Sequence, residues 1–247
     1  MWWLTLRQHK VQIVVTASCL FVVGLILLWH GVATSRYLAD RAPAGCPATT
    51  TTCQSFERDA LLPRWAQMQP LLNFLLFAPF LIGGFWGSPL VGQEYERGTT
   101  KFVFTQSVTV DQWVVAKISL LGALVGVGGL AVGGMVSAWL SVFHGTSLPG
   151  VDTAFSLSAI RGVAPAAWWI LFFTIGAASG ALFRRVLPSI AVTFAALFLI
   201  TYATVRLFNV IPLEGFWQLQ AIHVGFTGAI SCVLAWWTVN RIRRVRV

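Results

Sequence analysis

Charged residues are scarce in this chain of 247 residues. Lys, Arg, Asp and Glu together make up 10% of it, apolar residues make up 57%, and the mean hydropathy is +0.75. An ordinary soluble globular domain carries about 25% charged residues, so the composition excludes that class. The sequence indicates an integral membrane protein.

Six charge-free runs are each long enough to cross a hydrocarbon core, which takes about 20 helical residues. Continuous apolar runs of this length do not fit the alternating pattern of a β-barrel strand. We therefore predict an all-α, polytopic membrane protein with one transmembrane domain over residues 1–247. With their flanking residues, the six predicted transmembrane helices cover 11–30, 70–90, 113–143, 162–183, 187–206 and 218–239.

The basic residues divide unevenly between the two sides of this predicted bundle. With a cytoplasmic N-terminus, 11 of the 17 Lys and Arg residues lie inside and 6 lie outside. Cytoplasmic connections of membrane proteins carry such an excess. Both termini and segment 91–112 are therefore predicted in the cytoplasm, and loop 31–69 outside. Because the basic residues lie at helix ends, we expect them to contact membrane lipid and not nucleic acid.

The common catalytic motifs are missing. The chain has no G-x-x-x-x-G-K-[ST] phosphate loop, no G-x-S-x-G nucleophile elbow and no H-E-x-x-H metal motif. The four histidines are dispersed, and only His223 lies well inside a predicted span, where an ionisable group is a candidate functional residue. The alternative is a histidine near a helix end that points to lipid headgroups. No catalytic residue, cofactor or metal site is predicted in this chain.

Cysteine is also rare, with four residues. Cys46 and Cys53 lie seven residues apart in the predicted external loop, where an oxidising compartment and a short separation favour a disulfide. Two free thiols in a mobile loop are the alternative. Cys19 and Cys232 fall within predicted spans, where we expect core or lipid-facing positions.

Glycines in two predicted spans have the spacing of helix-packing residues. The third span contains six glycines between residues 122 and 134, and the fourth contains Gly176 and Gly180. Small residues four apart allow helix backbones to approach closely. Tight packing within the chain is the preferred interpretation, and a flexing helix or a dimer seam are the alternatives.

The long polar interruption on the predicted cytoplasmic side reads VGQEYERGTTKFVFTQSVTVDQWVVAK over residues 91–117. Its charged residues exclude it from the membrane, since each costs about 2.5–3.5 kcal/mol at a bilayer centre. The mixture of aromatic and polar residues fits a helix along the membrane surface that turns at Gly98. Such a helix offers charges to an aqueous partner, and the alternative is a solvated loop without a partner.

Residues 92–117 resemble the intracellular segment between the second and third helices of ABC transporter permeases of the type-2 exporter class, particularly the actinobacterial ones. The start (WLTLRQHKVQ) and the end (FWQLQAIHVGFTGAISCVLAWWTVNRIRR) are also similar, so the resemblance covers most of the chain. It implies a coupling helix that docks on a separate ATPase subunit. The implied coupling residues are Glu94, Tyr95, Glu96, Arg97, Gly98, Thr99, Lys101, Gln106 and Ser107. One departure is Gln93, where relatives often carry arginine.

The same resemblance implies an assembly in a bacterial plasma membrane. Two permease chains, identical or different, would associate with two ABC ATPase subunits, which hold the ATP and Mg²⁺ that this chain lacks. Closure of the ATPases would move segment 94–107 as a lever and drive export. Substrate would pass between the permeases along the second and fifth helices.

The implied pathway face is aromatic with few polar atoms, which would suit a bulky amphipathic substrate. Lipid or neighbouring helices are the alternative contacts for such residues. The candidate pathway residues are Asn73, Phe74, Phe77, Phe80, Phe194, Phe198, Thr201 and Tyr202.

Two other functions stay open from the residues alone. The first is a membrane thiol-redox enzyme that uses Cys46 and Cys53, although the chain has no close C-x-x-C pair. The second is a non-transporting membrane anchor or immunity protein that tethers an ATPase. Co-purification of an ATPase separates the redox enzyme from the other two, and stimulation of that ATPase by substrate separates exporter from tether.

Overall fold

The computed structural model describes residues 2–43, 46, 51–96, 110–143, 155–208 and 215–244. Within these ranges all regular structure is helical, and six helices are long and apolar enough to cross a membrane. The predicted all-α fold with six transmembrane helices is confirmed. The helices are α1 (Trp2–Gln8), α2 (Lys10–Arg41), α3 (Thr51–Glu96), α4 (Val110–Leu140), α5 (Phe155–Ile160), α6 (Ala164–Phe183), α7 (Val186–Phe208) and α8 (Phe216–Arg244).

The six long helices alternate in direction, which gives the bundle two distinct ends. We call one of them the basic end: α2, α4 and α7 begin there, and α3, α6 and α8 finish there, close to Lys10, Lys117, Arg184 and Arg241. The opposite end, the far end, carries the short helix α5 and the start of α6. A short 3₁₀ turn, Ser141–Phe143, extends α4 at the far end.

Helices α2 and α3 are longer than a bilayer requires. At 1.5 Å per residue, the 32 residues of α2 span about 48 Å and the 46 residues of α3 about 69 Å, against about 30 Å for a hydrocarbon core. The predicted loop over 31–69 is therefore wrong for most of its length. Charges near residue 40 end the apolar run but not the helix. The helix ends at Arg41, just before Pro43, because proline offers no backbone N–H.

The two helix extensions form a hairpin at the far end. A disulfide joins Cys46 and Cys53, whose Cα atoms are 5.7 Å apart. Tyr37 of α2 stacks on Phe56 of α3 with ring centroids 6.3 Å apart, and the Arg64 guanidinium lies 3.9 Å from the centroid of the Tyr37 ring. The side chain of Cys53 is buried. These contacts make the disulfide part of the packing of the hairpin.

Helix α6 lies at the centre of the bundle. Leu171, Phe172 and Phe173 are completely buried, and α3, α4, α7 and α8 surround them. Helix α2 lies at the periphery, mainly against α4. The outer helices expose large apolar side chains such as Trp29 and Trp236, which suits contact with lipid. Cys19 and Cys232 are exposed on these helices as free thiols.

Helices α3 and α6 cross through glycines. The α3 segment Gly83–Gly87 is π-helical. A Cβ at Gly83 or Gly87 would meet the carbonyl groups of Phe172 or Phe173, and a Cβ at Gly176 would meet the carbonyl oxygen of Gly83. The interpretation of the glycines of the fourth span as packing residues within the chain agrees with these contacts. We call this crossing the glycine seam.

Candidate functional site

A cluster of polar contacts lies at the basic end, where α3 finishes and α4 begins. Three of the predicted coupling residues, Glu94, Tyr95 and Glu96, form the last turn of α3. The remaining predicted coupling residues, Arg97, Gly98, Thr99, Lys101, Gln106 and Ser107, lie outside the described residues. The structure therefore describes only the first three residues of the predicted coupling segment, Glu94, Tyr95 and Glu96, which we call its root.

Glu94 is joined to the next membrane helix by an ion pair. Its carboxylate Oε1 accepts a hydrogen bond from Nζ of Lys117 in α4 at 2.9 Å. The Lys117 side chain is only 5% exposed, so this carboxylate compensates a buried charge. Removing one partner of a buried pair costs about 3–5 kcal/mol, because the other charge is left in a medium of low dielectric constant. The pair thus joins the end of α3 to the start of α4, the two helices that precede and follow residues 97–109 in the sequence.

Glu96 and Tyr95 contact the turn between α6 and α7. The Glu96 carboxylate accepts a hydrogen bond from the backbone N–H of Val186 at 3.0 Å, which supplies a partner for a free donor at the start of α7. A carboxylate at a helix N-terminus also interacts favourably with the helix dipole. The Arg184 guanidinium lies 5.4 Å from the centroid of the Tyr95 ring. The last turn of α3 is thus attached to α7 as well as to α4.

The backbone conformation of Arg184 produces the turn between α6 and α7. Arg184 adopts a left-handed conformation with φ of 56°, and its N–H donates to the carbonyl of Gly180 at 2.9 Å. This left-handed residue ends α6 and lets α7 begin after one further residue. The short turn holds the Val186 N–H in the position where Glu96 reaches it.

The start of α2 packs against the π-helical segment of α3. Pro89 has no N–H, so it cannot donate to the carbonyl of Phe85 four residues earlier. The Gln12 side chain donates to that carbonyl instead, from Nε2 at 2.8 Å. The indole N–H of Trp86 donates to the Thr16 hydroxyl at 3.1 Å. These two bonds hold α2 to the part of α3 that also forms the glycine seam.

His9 precedes α2 and lies within electrostatic reach of the Glu94–Lys117 pair. Its ring Nδ1 contacts the Gln12 carboxamide oxygen. Burial lowers the pKa of His9 and outweighs the hydrogen bond to the Gln12 oxygen, which raises it; Lys117 lowers this pKa further and Glu94 raises it. The ring is therefore neutral near pH 7. Its protonation adds a positive charge beside Lys117.

Taken together, these contacts make the root of the segment a junction of helices. Glu94 contacts Lys117 of α4, Glu96 contacts Val186 at the start of α7, and Tyr95 contacts Arg184 at the end of α6. The Glu96 and Arg184 side chains are exposed, whereas the Lys117 side chain is only 5% exposed. The contacts of Glu96 and Arg184 can therefore exchange partners with water without opening the apolar core.

The predicted pathway residues are only partly brought together. Phe80 of α3 meets Phe194 of α7 edge to face with centroids 5.1 Å apart, and Phe194 meets Phe198 at 4.8 Å. Phe77, Phe198 and Thr201 line one cavity between α3 and α7. The two helices therefore share a continuous aromatic face within one chain.

The other pathway residues lie elsewhere. Phe74 lines a different groove, between α2 and α3. Tyr202 is exposed and its hydroxyl accepts a hydrogen bond from Nε of Arg206 at 3.2 Å. Asn73 is exposed on α3. The eight predicted pathway residues are thus distributed over a cavity, a groove and exposed helix surface, and their role as one substrate path stays a prediction.

A second polar network, at the far end, involves the histidine that the sequence singles out. The Nδ1 atom of His223 accepts from the indole N–H of Trp168 at 3.2 Å, and Nε2 lies 3.2 Å from the Ser158 hydroxyl. A neutral ring with its proton on Nε2 satisfies both contacts. His223 is 2% exposed. It therefore points into the bundle, and the alternative of a headgroup contact is wrong.

Gln220 is a residue of this network that the sequence analysis missed. Its Oε1 accepts from the N–H groups of Val163 and Ala164 at 3.0 and 2.8 Å, and its Nε2 donates to the Ser158 carbonyl at 2.9 Å. One side chain of α8 thus caps the start of α6.

The sequence does contain a sign of the inward face of α8. Polar residues recur there at intervals of three, four or seven positions, as expected for one face of a helix. They are all buried in the structure. The members of this stripe are Gln220, His223, Thr227, Ser231 and Thr238.

No group of three or more His, Cys, Asp and Glu side chains that could hold a metal ion occurs within the ranges described above. Neither polar network contains paired carboxylates with a nearby nucleophile among the residues that carry it.

Comparison with known proteins identifies the family of the chain. Residues 17–209 match the family model described as ABC-2 membrane transporter related. The match begins in α2, covers α3 to α6 and ends just after α7. No curated protein and no solved structure matches the chain. The six membrane-crossing helices agree with a multi-pass membrane subunit of permease type, and the chain belongs to the ABC-2 membrane transporter related family.

Proposed function

We propose that this chain is the membrane-spanning permease subunit of an ATP-driven exporter in a bacterial plasma membrane. Family membership supports the permease type and an association with an ABC ATPase. ATP and Mg²⁺ would bind to that separate subunit. Two permease chains, identical or different, would form the transport path for an amphipathic or hydrophobic substrate.

The proposal places the basic end in the cytoplasm. The excess of Lys and Arg on the segments that meet there supports this orientation. Segment 97–109 would then contact the ATPase, and the hairpin closed by Cys46 and Cys53 would lie outside the cell, where a disulfide is stable.

One observation carries the coupling role: the root of the segment is attached to α4 and α7 at the same time. Glu94 pairs with Lys117, and Glu96 accepts the N–H of Val186. Helices α3 and α7 carry the aromatic face that the sequence assigns to the substrate path. A push on segment 97–109 would therefore reach both helices of that path.

This geometry changes the part that the two glutamates are expected to play. Both carboxylates have partners within the chain, so we assign them to transmission, while docking falls to the segment beyond them. Glu94 and Glu96 keep the lever in contact with α4 and α7. Their loss would leave the ATPase bound while its closure no longer moves the path.

The disulfide argues against the thiol-redox alternative. Cys53 is buried and bonded to Cys46 at the tip of the hairpin, which is the environment of a structural disulfide and not of an exposed reactive thiol. The tether alternative shares the ATPase partner and differs only in coupling, so the test below is designed around coupling.

The test uses the full chain, captured from its native membrane with the ATPase that accompanies it. ATP hydrolysis of the captured complex is measured in nanodiscs for wild type, Glu94→Gln and the exchange variant Glu94→Lys with Lys117→Glu. We expect Glu94→Gln to keep the ATPase bound and to change its hydrolysis rate at least fivefold. The exchange variant restores the opposite charges and should recover most of the wild-type rate.

Arg241→Ala is the matched control, because it removes an exposed charge of α8 at the same end. It should behave as wild type in capture and hydrolysis. If Glu94→Gln matches this control in both measurements, the coupling role is wrong. If no ATPase is captured with wild type, the permease proposal itself fails.

A further inference from the structure

A cavity of about 260 Å³ opens between α3 and α7 in the half of the bundle toward the far end. Helix α6 forms its floor through Trp168, Trp169 and Phe172, which are at most 6% exposed. The edge-to-face contact of Phe80 with Phe194 closes it toward the basic end. The cavity thus lies within one chain and reaches the central helix.

The opening follows from the way α3 and α7 diverge. The two helices pack closely at the glycine seam, where a Cβ at Gly83 would lie 2.7 Å from Cγ2 of Thr193. They separate from that point toward the far end. Phe77 and Phe198 flank the gap and are 48% and 54% exposed. The cavity is therefore a slot that opens on the face of the bundle between α3 and α7.

The walls offer almost no polar contact. The described lining residues are apolar or aromatic except for Thr201 and Thr204. The Thr204 hydroxyl donates to the carbonyl of Ile200, and the indole N–H of Trp168 donates to His223. A polar ligand would lose its hydration here without replacement hydrogen bonds. A hydrocarbon would gain dispersion contacts along the slot.

The dimensions narrow the class of ligand further. From Leu197 to Thr204 the cavity follows α7 for about 10 Å at the helical rise of 1.5 Å per residue. Its volume is below the range of about 300–1,000 Å³ that is usual for drug-sized ligands, but above the cavity of about 150 Å³ that binds benzene in another protein. A narrow slot of this length fits one extended hydrocarbon chain.

We propose that this cavity binds one hydrocarbon chain of an amphiphile, which enters between α3 and α7 while its polar head stays outside. This hydrocarbon chain belongs either to a phospholipid of the surrounding bilayer or to a transported amphiphile. Only the second source rests on the proposed exporter function. The site itself requires neither the ATPase nor a direction of transport.

The experiment uses the full-length chain in nanodiscs and two photoreactive probes. One probe is phosphatidylcholine with a diazirine in the middle of one acyl chain, and the other is hexadecanoic acid with the same group. After irradiation, adducts are mapped by peptide mass spectrometry. The decisive adducts are those at Trp168 and Phe172, which are buried and line this cavity, whereas Trp169 also lines the groove between α2 and α3 and is left out.

We expect adducts at Trp168 or Phe172 in wild type, and at least a fivefold loss of them in Thr201→Trp, which fills the opening. Leu199→Trp is the control, since Leu199 lies on the same helix, is 69% exposed and does not line the cavity. It should label as wild type does. Ala159→Phe fills the slot from α5 and serves if Thr201→Trp does not fold.

The two probes separate the sources of the chain. Floor adducts with the phospholipid indicate bilayer lipid, and floor adducts with the fatty acid alone indicate a single-chain amphiphile. Absence of floor adducts with both probes overturns the proposal, as does labelling that Thr201→Trp and Ala159→Phe leave unchanged. Neither outcome depends on the ATPase, so this test and the test of the exporter can fail separately.

Discussion

The two ends of the bundle are held together by different chemistry. At the basic end, the last turn of α3 is joined to α4 and α7 by charged groups that are partly exposed, such as Glu94, Glu96 and Arg184. At the far end, α6 and α8 are joined by neutral groups that are buried, chiefly Gln220 and His223. The glycine seam between α3 and α6 lies between the two ends.

This difference indicates which end has polar contacts that can rearrange. The exposed contacts of Glu96 and Arg184 are individually weak and can exchange partners with water, so they rearrange at low cost. The Glu94–Lys117 pair, whose lysine is buried, holds α3 to α4 more firmly. Buried hydrogen bonds are costly to leave unmade, so the network at the far end holds α6 to α8 as one unit. A bundle with one rigid end and one adjustable end, joined at a backbone contact, is suited to a hinge.

The largest effect is expected at the seam itself, with Gly176→Val. The carbonyl oxygen of Gly83 occupies the position that a Cβ at residue 176 needs, and a backbone oxygen cannot move aside as a flexible side chain can. We expect α3 and α6 to be forced apart, with a loss well above the 1–3 kcal/mol that is usual for overpacking. The loss of stability is measured by thermal unfolding of wild type and variant in the same detergent.

Gly134→Val is the matched control for this variant. Gly134 lies on α4, and no described atom lies within 4 Å of the position of its added Cβ. The control therefore has the same change of helix propensity without the collision. If both valine variants unfold at the same temperature, the glycine seam is not the close contact that separates the two ends.

A smaller effect is expected at the far end, with Gln220→Ala. This change leaves the N–H groups of Val163 and Ala164 without their acceptor, and each buried donor without a partner costs about 1–3 kcal/mol. The free energy of unfolding, or its thermal equivalent, is compared with that of Gln218→Ala.

Gln218 lies on the same helix and is exposed, so its removal should be close to neutral. Equal stability of the two alanine variants would show that the far end is not fixed by this cap. A second measurement is hydrogen exchange at the start of α6, which should accelerate only in Gln220→Ala.

The sequence was sufficient for the number and type of helices. Ten per cent charged residues and six long apolar runs leave few other solutions in a bilayer. The ends of the helices were harder, because Arg36 and Asp40 lower hydropathy without breaking a helix. The proline at position 43, which does break it, was the better sign of the boundary.

The candidate site was predictable in position but not in mechanism. Glu94 and Glu96 stand out as carboxylates in a polar segment, which suggested docking to another protein. Their partners in the chain could not be predicted, since a backbone N–H such as that of Val186 leaves no trace in the sequence. From the sequence, Lys117 lies at the edge of the third apolar run. Only the packing of α3 beside α4 brings it to Glu94.

The smallest effect concerns pH at the basic end. Burial lowers the pKa of His9 below its ordinary value of 6.5, so the folded chain resists protonation more than the unfolded chain does. The stability that His9 contributes is present above pH 6.5 and is lost as the pH falls toward the lowered pKa. We expect wild type to lose more thermal stability than His9→Gln between pH 7.5 and pH 5.5. If both proteins lose the same thermal stability, His9 does not contribute to the pH dependence of stability at the basic end.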